Sequence, residues 1–301
     1  MNPCHSIRRV LLLALLTPLA VSGEVIGFTA EDNLDAAEAT ELFLSRPGES
    51  IPRGESWIYP DLFPFKALEL DVDGTLLALH TLAISADRIS RLDLETGTVT
   101  PVTGSSVGQR ELALDPAGVL WTVNFAGELR AYDFATQQLG PRLMMTYEGA
   151  DRVGGLAWRD GQLYALFNGE QSDDGPVLGV VDTTTGAVGD LRELVPLRPD
   201  PFMEREVTAL DFDDRGGLWV GFVDILAAPD PPLPRPAVAF LPSPAATEAE
   251  IRPIGGDPRS RVPLAVAGSP SVTDIPTLSH FAATLLALLL LAAALPRLRR
   301  V

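Results

Sequence analysis

Glu111-Leu-Ala-Leu-Asp-Pro-Ala-Gly-Val-Leu-Trp121 is the stretch that decides the fold. An alternating apolar and polar run meets an Asp/Gly turn and resumes with a leucine and an aromatic residue. That pattern describes two short antiparallel strands joined by a hairpin, with glycine supplying the positive φ of the turn. The plan recurs in Ala67-Leu-Glu-Leu-Asp-Val-Asp-Gly-Thr-Leu-Leu77, in Gly155-Leu-Ala-Trp-Arg-Asp-Gly-Gln-Leu-Tyr164 and in Ala209-Leu-Asp-Phe-Asp-Asp-Arg-Gly-Gly-Leu-Trp219. The leading leucines, Leu68, Leu112, Leu156 and Leu210, are spaced 44, 44 and 54 residues apart. Self-similarity at a near-constant period marks a repeat architecture.

A weaker motif follows each copy. It reads Ser90-Arg-Leu-Asp-Leu-Glu-Thr-Gly97, Arg130-Ala-Tyr-Asp-Phe-Ala-Thr136 and Gly179-Val-Val-Asp-Thr-Thr-Thr-Gly186, with a faint fourth version in Val238-Ala-Phe-Leu-Pro-Ser-Pro244. Each is again strand, turn, strand. A period therefore carries four short strands, the content of one propeller blade of about 40–50 residues. A β-sandwich, the rival all-β arrangement, leaves the 44-residue self-similarity unexplained. Leu114-Asp-Pro-Ala-Gly-Val-Leu-Trp121 and Leu92-Asp-Leu-Glu-Thr-Gly-Thr-Val99 resemble the loose β-propeller repeats of secreted bacterial proteins, the NHL and YVTN-like group. The resemblance spans residues 66–254. It implies an all-β propeller and is nearly silent on function.

Four blades are clear, and the length available leaves room for five or six, so the count stays open at four to six. Residues 24–65 are less repetitive and read as a closing strand or a partial blade. Within them either Thr29-Ala-Glu-Asp32 caps a short helix or Thr40-Glu-Leu-Phe-Leu-Ser45 forms an outer strand. Pairing an N-terminal strand with the last blade would remove an exposed edge. Leu226 to Pro236 reads as a Pro-rich loop, and residues 255–274, rich in Gly, Pro and Ser, as a flexible stalk.

The two ends carry address information. Arg8 and Arg9 precede an apolar stretch from Val10 to Ala20, then Val21-Ser22-Gly23. This is the layout of a secretory signal peptide over 1–23, with cleavage after Ser22 or Gly23 by signal peptidase once the Sec translocon has been engaged. Eleven apolar residues are too few for a retained span. At the other end, Phe281 to Leu295 holds no charged residue and is apolar on every face. With Leu278, Ser279 and His280 the segment reaches the lower limit for a membrane-spanning helix. Arg297, Arg299 and Arg300 follow it as a positive-inside flank, which predicts a cytoplasmic C-terminus.

The order Ile275-Pro276-Thr277-Leu278-Ser279, apolar helix, arginine cluster resembles the IPTL-CTERM protein-sorting domain of bacterial envelope proteins, over residues 275–301. His280 and Phe281 stand where members of that family commonly carry an acidic residue and a tryptophan. The resemblance implies that Ile275 to Ser279 form a recognition segment for an exosortase-like membrane protease. The chain would then be a processing substrate, and the catalytic residues would belong to its partner.

Composition narrows the rest. Cys4 is the only cysteine and lies in the expected leader, so the exported part can have neither disulfides nor thiol chemistry. Setting aside Arg8, Arg9, Arg297, Arg299 and Arg300 leaves 18 basic residues, Lys66 the sole lysine, against 40 acidic ones, a net of −22. Such a surface repels nucleic-acid phosphates, and no nucleic-acid partner is expected.

Four constellations bear on chemistry. Gly104-Ser-Ser-Val-Gly108 matches a nucleophile elbow in letters, but no helix pattern follows it and the only later histidine is His280. Asp71, Asp73 and Gly74 open like a calcium loop, yet Leu82 stands where the closing acid belongs, and related turns at Asp160-Gly161 and Asp213-Asp214 point to hairpins. His80 alone cannot build a zinc site. Propeller lactonases hold calcium with scattered Glu, Asn and Asp, for which Asn124, Asn168 and Asp224 would be the candidates, although nothing in their spacing singles them out. Trp121, Trp158 and Trp219 recur at strand positions and are expected to pack between blades.

The reading is an exported, non-catalytic binding or structural propeller, with no cofactor called and an extracellular ligand not named by the sequence. It is held at the inner membrane by its C-terminal helix and passed to the cell surface by sorting. Two alternatives stand beside it: a calcium-dependent hydrolase, lactonase or lyase on the propeller, and a permanently anchored propeller that is never sorted.

Overall fold

The computed structural model describes residues 26–33, 39–45, 56–60, 65–71, 75–83, 86–93, 96, 98–103, 108–124, 126–134, 136, 138–146, 152–168, 175–198, 203–213, 215–226, 234–253 and 264–267. Among these residues the structure is all-β apart from one short 3-10 turn, Val195–Leu197. The first strands are β1 (Ile26–Asn33), β2 (Ala39–Ser45) and β3 (Ser56–Pro60), an antiparallel meander. Next come β4 (Phe65–Leu70), β5 (Leu76–Ala83), β6 (Ala86–Leu92) and β7 (Val99–Pro101). A third group is β8 (Gln109–Leu114), β9 (Leu120–Asn124), β10 (Glu128–Asp133), β11 (Gln138–Leu139) and β12 (Leu143–Met144), the last two both pairing with β10. A fourth is β13 (Arg152–Arg159), β14 (Gln162–Asn168), β15 (Val177–Val181) and β16 (Val188–Glu193). A fifth is β17 (Met203–Phe212), β18 (Leu218–Leu226), β19 (Pro234–Leu241) and β20 (Glu250–Pro253). The final strand is β21 (Leu264–Ala267).

The four groups from β4 to β20 are the blades of a four-bladed propeller core, each an up-and-down antiparallel sheet in chain order. A fifth sheet, ordered β21-β1-β2-β3, mixes the two ends of the described chain. The innermost strands β4, β8, β13, β17 and β21 lie one against the next, and β21 returns to β4, which closes the ring. Closure removes the two sheet edges that an open array would expose.

This closure corrects three readings of the sequence. Thr29–Asp32 is the middle of β1 and not a helix start, because its residues pair with Phe43, Leu42, Glu41 and Thr40. Leu264–Ala267 is not stalk. Its alternating-face run Leu-Ala-Val is buried, and apolar residues with a free partner strand beside them order as a strand. The Pro-rich stretch is loop only in part, since Pro234 and Pro236 pair opposite Ile225 and Val223. Two prolines on alternate residues lose donors on one edge only, so the other edge can still pair.

Packing is blade against blade. Ala67, Leu77, Leu79 and Ile89 meet Leu112, Leu114 and Leu120. Ala113, Val123 and Leu129 meet Val153, Leu156 and Leu163. Leu166 and Leu178 meet Val207, Leu210 and Phe222, and Ala209, Trp219 and Val238 meet Leu264 and Val266. All four repeat leucines are buried. Each such side chain stabilises the fold by about 1.5–3 kcal/mol through burial. Gly155 sits where a Cβ would collide with Leu210, so a bare backbone is what lets β13 and β17 approach.

Every blade places its first-to-second and third-to-fourth turns at one end of the ring. The second-to-third turns and the blade-to-blade connections lie at the other, the crossover end. The Asp/Gly motifs all fall at the turn end. Asp115 Oδ1 accepts the N–H groups of Ala117 and Val119 at 2.9 and 2.8 Å, and Asp213 Oδ1 those of Arg215 and Gly217 at 2.9 and 2.7 Å. Asp160 and Gly161 both have positive φ, 49° and 80°, which suits the two-residue hairpin they form. Val25–Gly268 forms one compact unit. Among the described residues no helix is long and apolar enough to cross a membrane; the segment expected to do so, and the expected leader, lie outside them.

Candidate functional site: the crossover mouth of the ring

In each of the four core blades the inner strand slips register once against its second strand, and the slip falls at the same place. The residues passed over are Lys66, Arg110, Gly154 and Thr208, two positions before the repeat leucine in every copy. A bulge re-aims the side chain it releases. Four equivalent positions at the crossover mouth thus hold an ammonium, a guanidinium, a bare backbone and a hydroxyl.

Arg110 is 1% exposed, and its Nη2 donates to Glu206 Oε1 at 2.8 Å. The pair joins the second core blade to the fourth, passing over the third, where Gly154 offers no side chain. Burying a guanidinium carries a desolvation cost that its ion pair rarely exceeds. The equivalent position holds glycine in the third core blade and threonine in the fourth, so the repeat itself does not specify a charge there. Glu206 is 39% exposed and presents the pair to solvent. Beside it, Lys66 Nζ lies 2.5 Å from Asp87 Oδ1, whose carboxyl is buried and whose Oδ2 is buried without a hydrogen bond. In the fourth core blade Arg205 Nε donates to Asp224 Oδ1 at 2.6 Å, and its guanidinium lies over the Phe222 ring at 5.2 Å. Gln109 Oε1 accepts from the Thr122 hydroxyl at 2.8 Å.

Deeper in the ring, the position after the repeat leucine is Glu69 in the first core blade, alanine at Ala113 and Ala157, and Asp211 in the fourth. Asp211 takes the N–H of Val266 on the closing strand at 2.5 Å and that of Phe212 at 2.7 Å. Burial nonetheless pushes its carboxyl up to about 7, with Asp213 adding to the rise. Burial, and then the charge of Asp211, hold Glu69 well above the ordinary carboxylate range, although the N–H of Leu114 works the other way. The two acids face a common interior, and each carboxyl braces the adjoining inner strand.

The residues imagined as calcium ligands do reach the crossover end, one in each of three blades, but each is engaged. Asn124 Oδ1 caps the turn to Glu128, Asn168 Oδ1 accepts the N–H of Val207 at 2.7 Å, and Asp224 holds Arg205. Among the described residues no three His, Cys, Asp or Glu side chains converge as a metal site. His80 is a core residue of the first core blade, with Nε2 2.9 Å from Ser90 Oγ, and burial lowers its pKa. Asp71 pairs with Arg91 at 2.9 Å. Trp219 is buried between the last core blade and the closing strand, and Trp121 and Trp158 pack in the cluster between the second and third core blades, as the sequence suggested. Asp73, Gly74, Asp214, residues 104–107, the cleavage residues Ser22 and Gly23, the pentad Ile275, Pro276, Thr277, Leu278 and Ser279, and the flank Arg297, Arg299 and Arg300 lie outside the described residues. The bulged column went unread in the sequence. Its signal was present: two residues before each leucine the repeats change from Lys to Arg to Gly to Thr, while the leucine stays.

No family model matches the chain, and no curated protein matches it. Among solved structures it is similar to TolB from Acinetobacter baumannii, at 14% identity and a TM-score of 0.49, over 88% of this chain and 71% of that one. It is also similar to U3-55K, at 15% identity and a TM-score of 0.37, over 72% of this chain and 55% of that one. A third similar structure is the Bacteroides ovatus xyloglucan PUL GH43B protein, at 12% identity and a TM-score of 0.44, over 64% and 41% of the two chains.

Proposed function

We propose that the chain is an exported, non-catalytic binding propeller that is presented at the bacterial envelope, with its C-terminal segment serving as a membrane hold and sorting signal. One observation carries the reading: β21 pairs with β1 and lies against β17 and β4, so the ring closes with strands taken from Ile26 to Ala267. A leader ending at Ser22 or Gly23 and a sorting segment starting at Ile275 would each be removable without taking a strand from the ring. The crossover mouth supplies the binding surface. There Arg110 is built in at a desolvation cost that two other blades avoid, and Glu206 carries its charge to solvent.

Mass spectrometry of mature protein recovered from the cell surface tests the address. The expected N-terminus follows Ser22 or Gly23, and the expected C-terminus lies near Ser279, without Arg297, Arg299 and Arg300. Recovery of mature chains that all retain the residues beyond Ser279 would sink the sorting reading and leave a permanently anchored propeller. Ile275→Ala/Pro276→Ala is expected to trap the chain in the inner membrane.

A further inference from the structure

The two ends of the ring's chain leave it at one place. β1 is the second strand of the fifth sheet, and its connection to β2, from Asn33 to Ala39, is a second-to-third turn. Asn33 therefore lies at the crossover end and Ile26 at the turn end. Ile26 is paired with Ala267, the last residue of β21. The neighbouring inner strand agrees with this placement. Val266 gives its N–H to Asp211, and each is one residue short of the end of its strand, β21 and β17. Closing a ring by pairing its two ends antiparallel brings the free ends together. The chain thus enters and leaves the ring side by side, at the turn end.

That exit constrains how the ring can face a membrane, a consequence that rests on the proposed membrane hold by the C-terminal segment. Residues 268–274 separate β21 from the pentad that begins at Ile275. Fully extended, that linker reaches no more than about 25 Å. At the other end at most three residues, Gly23, Glu24 and Val25, separate the proposed cleavage point from β1. Both ties are short, and both hold the same edge of the turn end. The inner strands β13 and β17 are 8 and 10 residues long. At about 3.3 Å per residue they make the ring roughly 26–33 Å deep. A linker that leaves at the turn end is spent before it could run back to the crossover end.

We propose that the propeller is tethered with its turn end toward the membrane and presents the crossover mouth, with the Arg110–Glu206 pair, away from the lipid. The turn end is not itself a lipid-docking face. Asp93, Asp133 and Asp182 are exposed there, one in the third-to-fourth turn of each of the first three core blades. Phosphate headgroups repel such carboxylates over about a Debye length, roughly 8 Å at physiological salt. The tether sets the orientation, and charge opposes close contact. The crossover mouth accordingly meets partners that arrive from the envelope or the medium, not lipid.

Cys4 is the only cysteine, so a single label can be placed at either end of the ring. Ala117 and Ala126 are both exposed and flank β9, Ala117 at the turn end and Ala126 at the crossover end. The full chain carries Cys4→Ser and Ile275→Ala/Pro276→Ala, with a donor dye on Ala117→Cys or on Ala126→Cys. The acceptor dye sits on the headgroups of phosphatidylcholine–phosphatidylglycerol vesicles. Energy transfer from position 117 is expected to be at least about twofold stronger, because the labels differ by about 20 Å in height. A long Gly/Ser insertion after Gly268 frees the ring to turn and is expected to bring the two signals together. Equal transfer in the unlengthened chain, stronger transfer from position 126, or a difference that survives the lengthened tether overturns the proposal. Flotation with the vesicles reads the membrane hold separately. A chain that fails to float sinks that hold and this orientation with it, whereas a floating chain with equal or reversed signals sinks the orientation alone.

Discussion

At the scale of single residues, Asp211 shows how a ring interior changes ordinary chemistry. An unfolded aspartate releases its proton near 3.8, and the folded one near 7. The folded state therefore binds more protons between these values, and stability conferred by the protonated acid is lost as pH rises from about 4 to 7. Asp211→Asn can still accept the Val266 N–H and cannot ionise. It is expected to stabilise the protein by about 1–2 kcal/mol at alkaline pH and to have little effect under acid conditions; this is less than the full shift because solvent reaches the residue. Chemical denaturation across the pH range checks this. His80 acts in the opposite sense. Burial lowers its pKa from 6.5, so its contribution falls as pH drops below that value. Glu69, raised by burial and then by Asp211, adds to the Asp211 slope, so the wild type should lose stability as pH rises through this range and the variant should lose less. Gly154 makes a second residue-scale prediction. A Cβ there would overlap the side chain and carbonyl oxygen of Val207, so Gly154→Ala should cost about 1–3 kcal/mol in equilibrium unfolding.

At the scale of elements, the weight falls on the closing strand. β21 is four residues long, yet it supplies the inner strand of the fifth sheet, pairs with β1 and gives Val266 N–H to Asp211. Val266→Pro removes that donor and is expected to cost about 3 kcal/mol or more, read as a lowered unfolding midpoint. A larger effect would be aggregation through the uncovered inner edges, visible by light scattering. The core blades were legible because their strands alternate and their turns need Asp and Gly. The fifth sheet was not, because its strands come from opposite ends of the chain and share no repeat. Ala39–Ser45 looks like a strand on its own pattern, whereas Leu264–Ala267 is too short to announce itself among the glycines and prolines around it.

For the whole molecule, charge is the leading property. A net of −22 outside the expected leader and tail self-repels, so stability should rise with ionic strength. Melting in low salt and near physiological salt checks this, with an upward shift of a few degrees expected, on the order of 1 kcal/mol. The sequence by itself determined the repeat, the all-β class and the Asp/Gly hairpins, because each depends on residues close together along the chain. The proposed address signals also lie in contiguous runs at the two ends. Tertiary structure alone decided the closure by β21, the alignment of Lys66, Arg110, Gly154 and Thr208 at one mouth, and the facing of Glu69 and Asp211. Those features join residues as much as 241 positions apart, as Ile26 and Ala267 are. Nothing local specifies such a meeting; it follows from blades stacking to bury their leucines and from a ring that must end where it began.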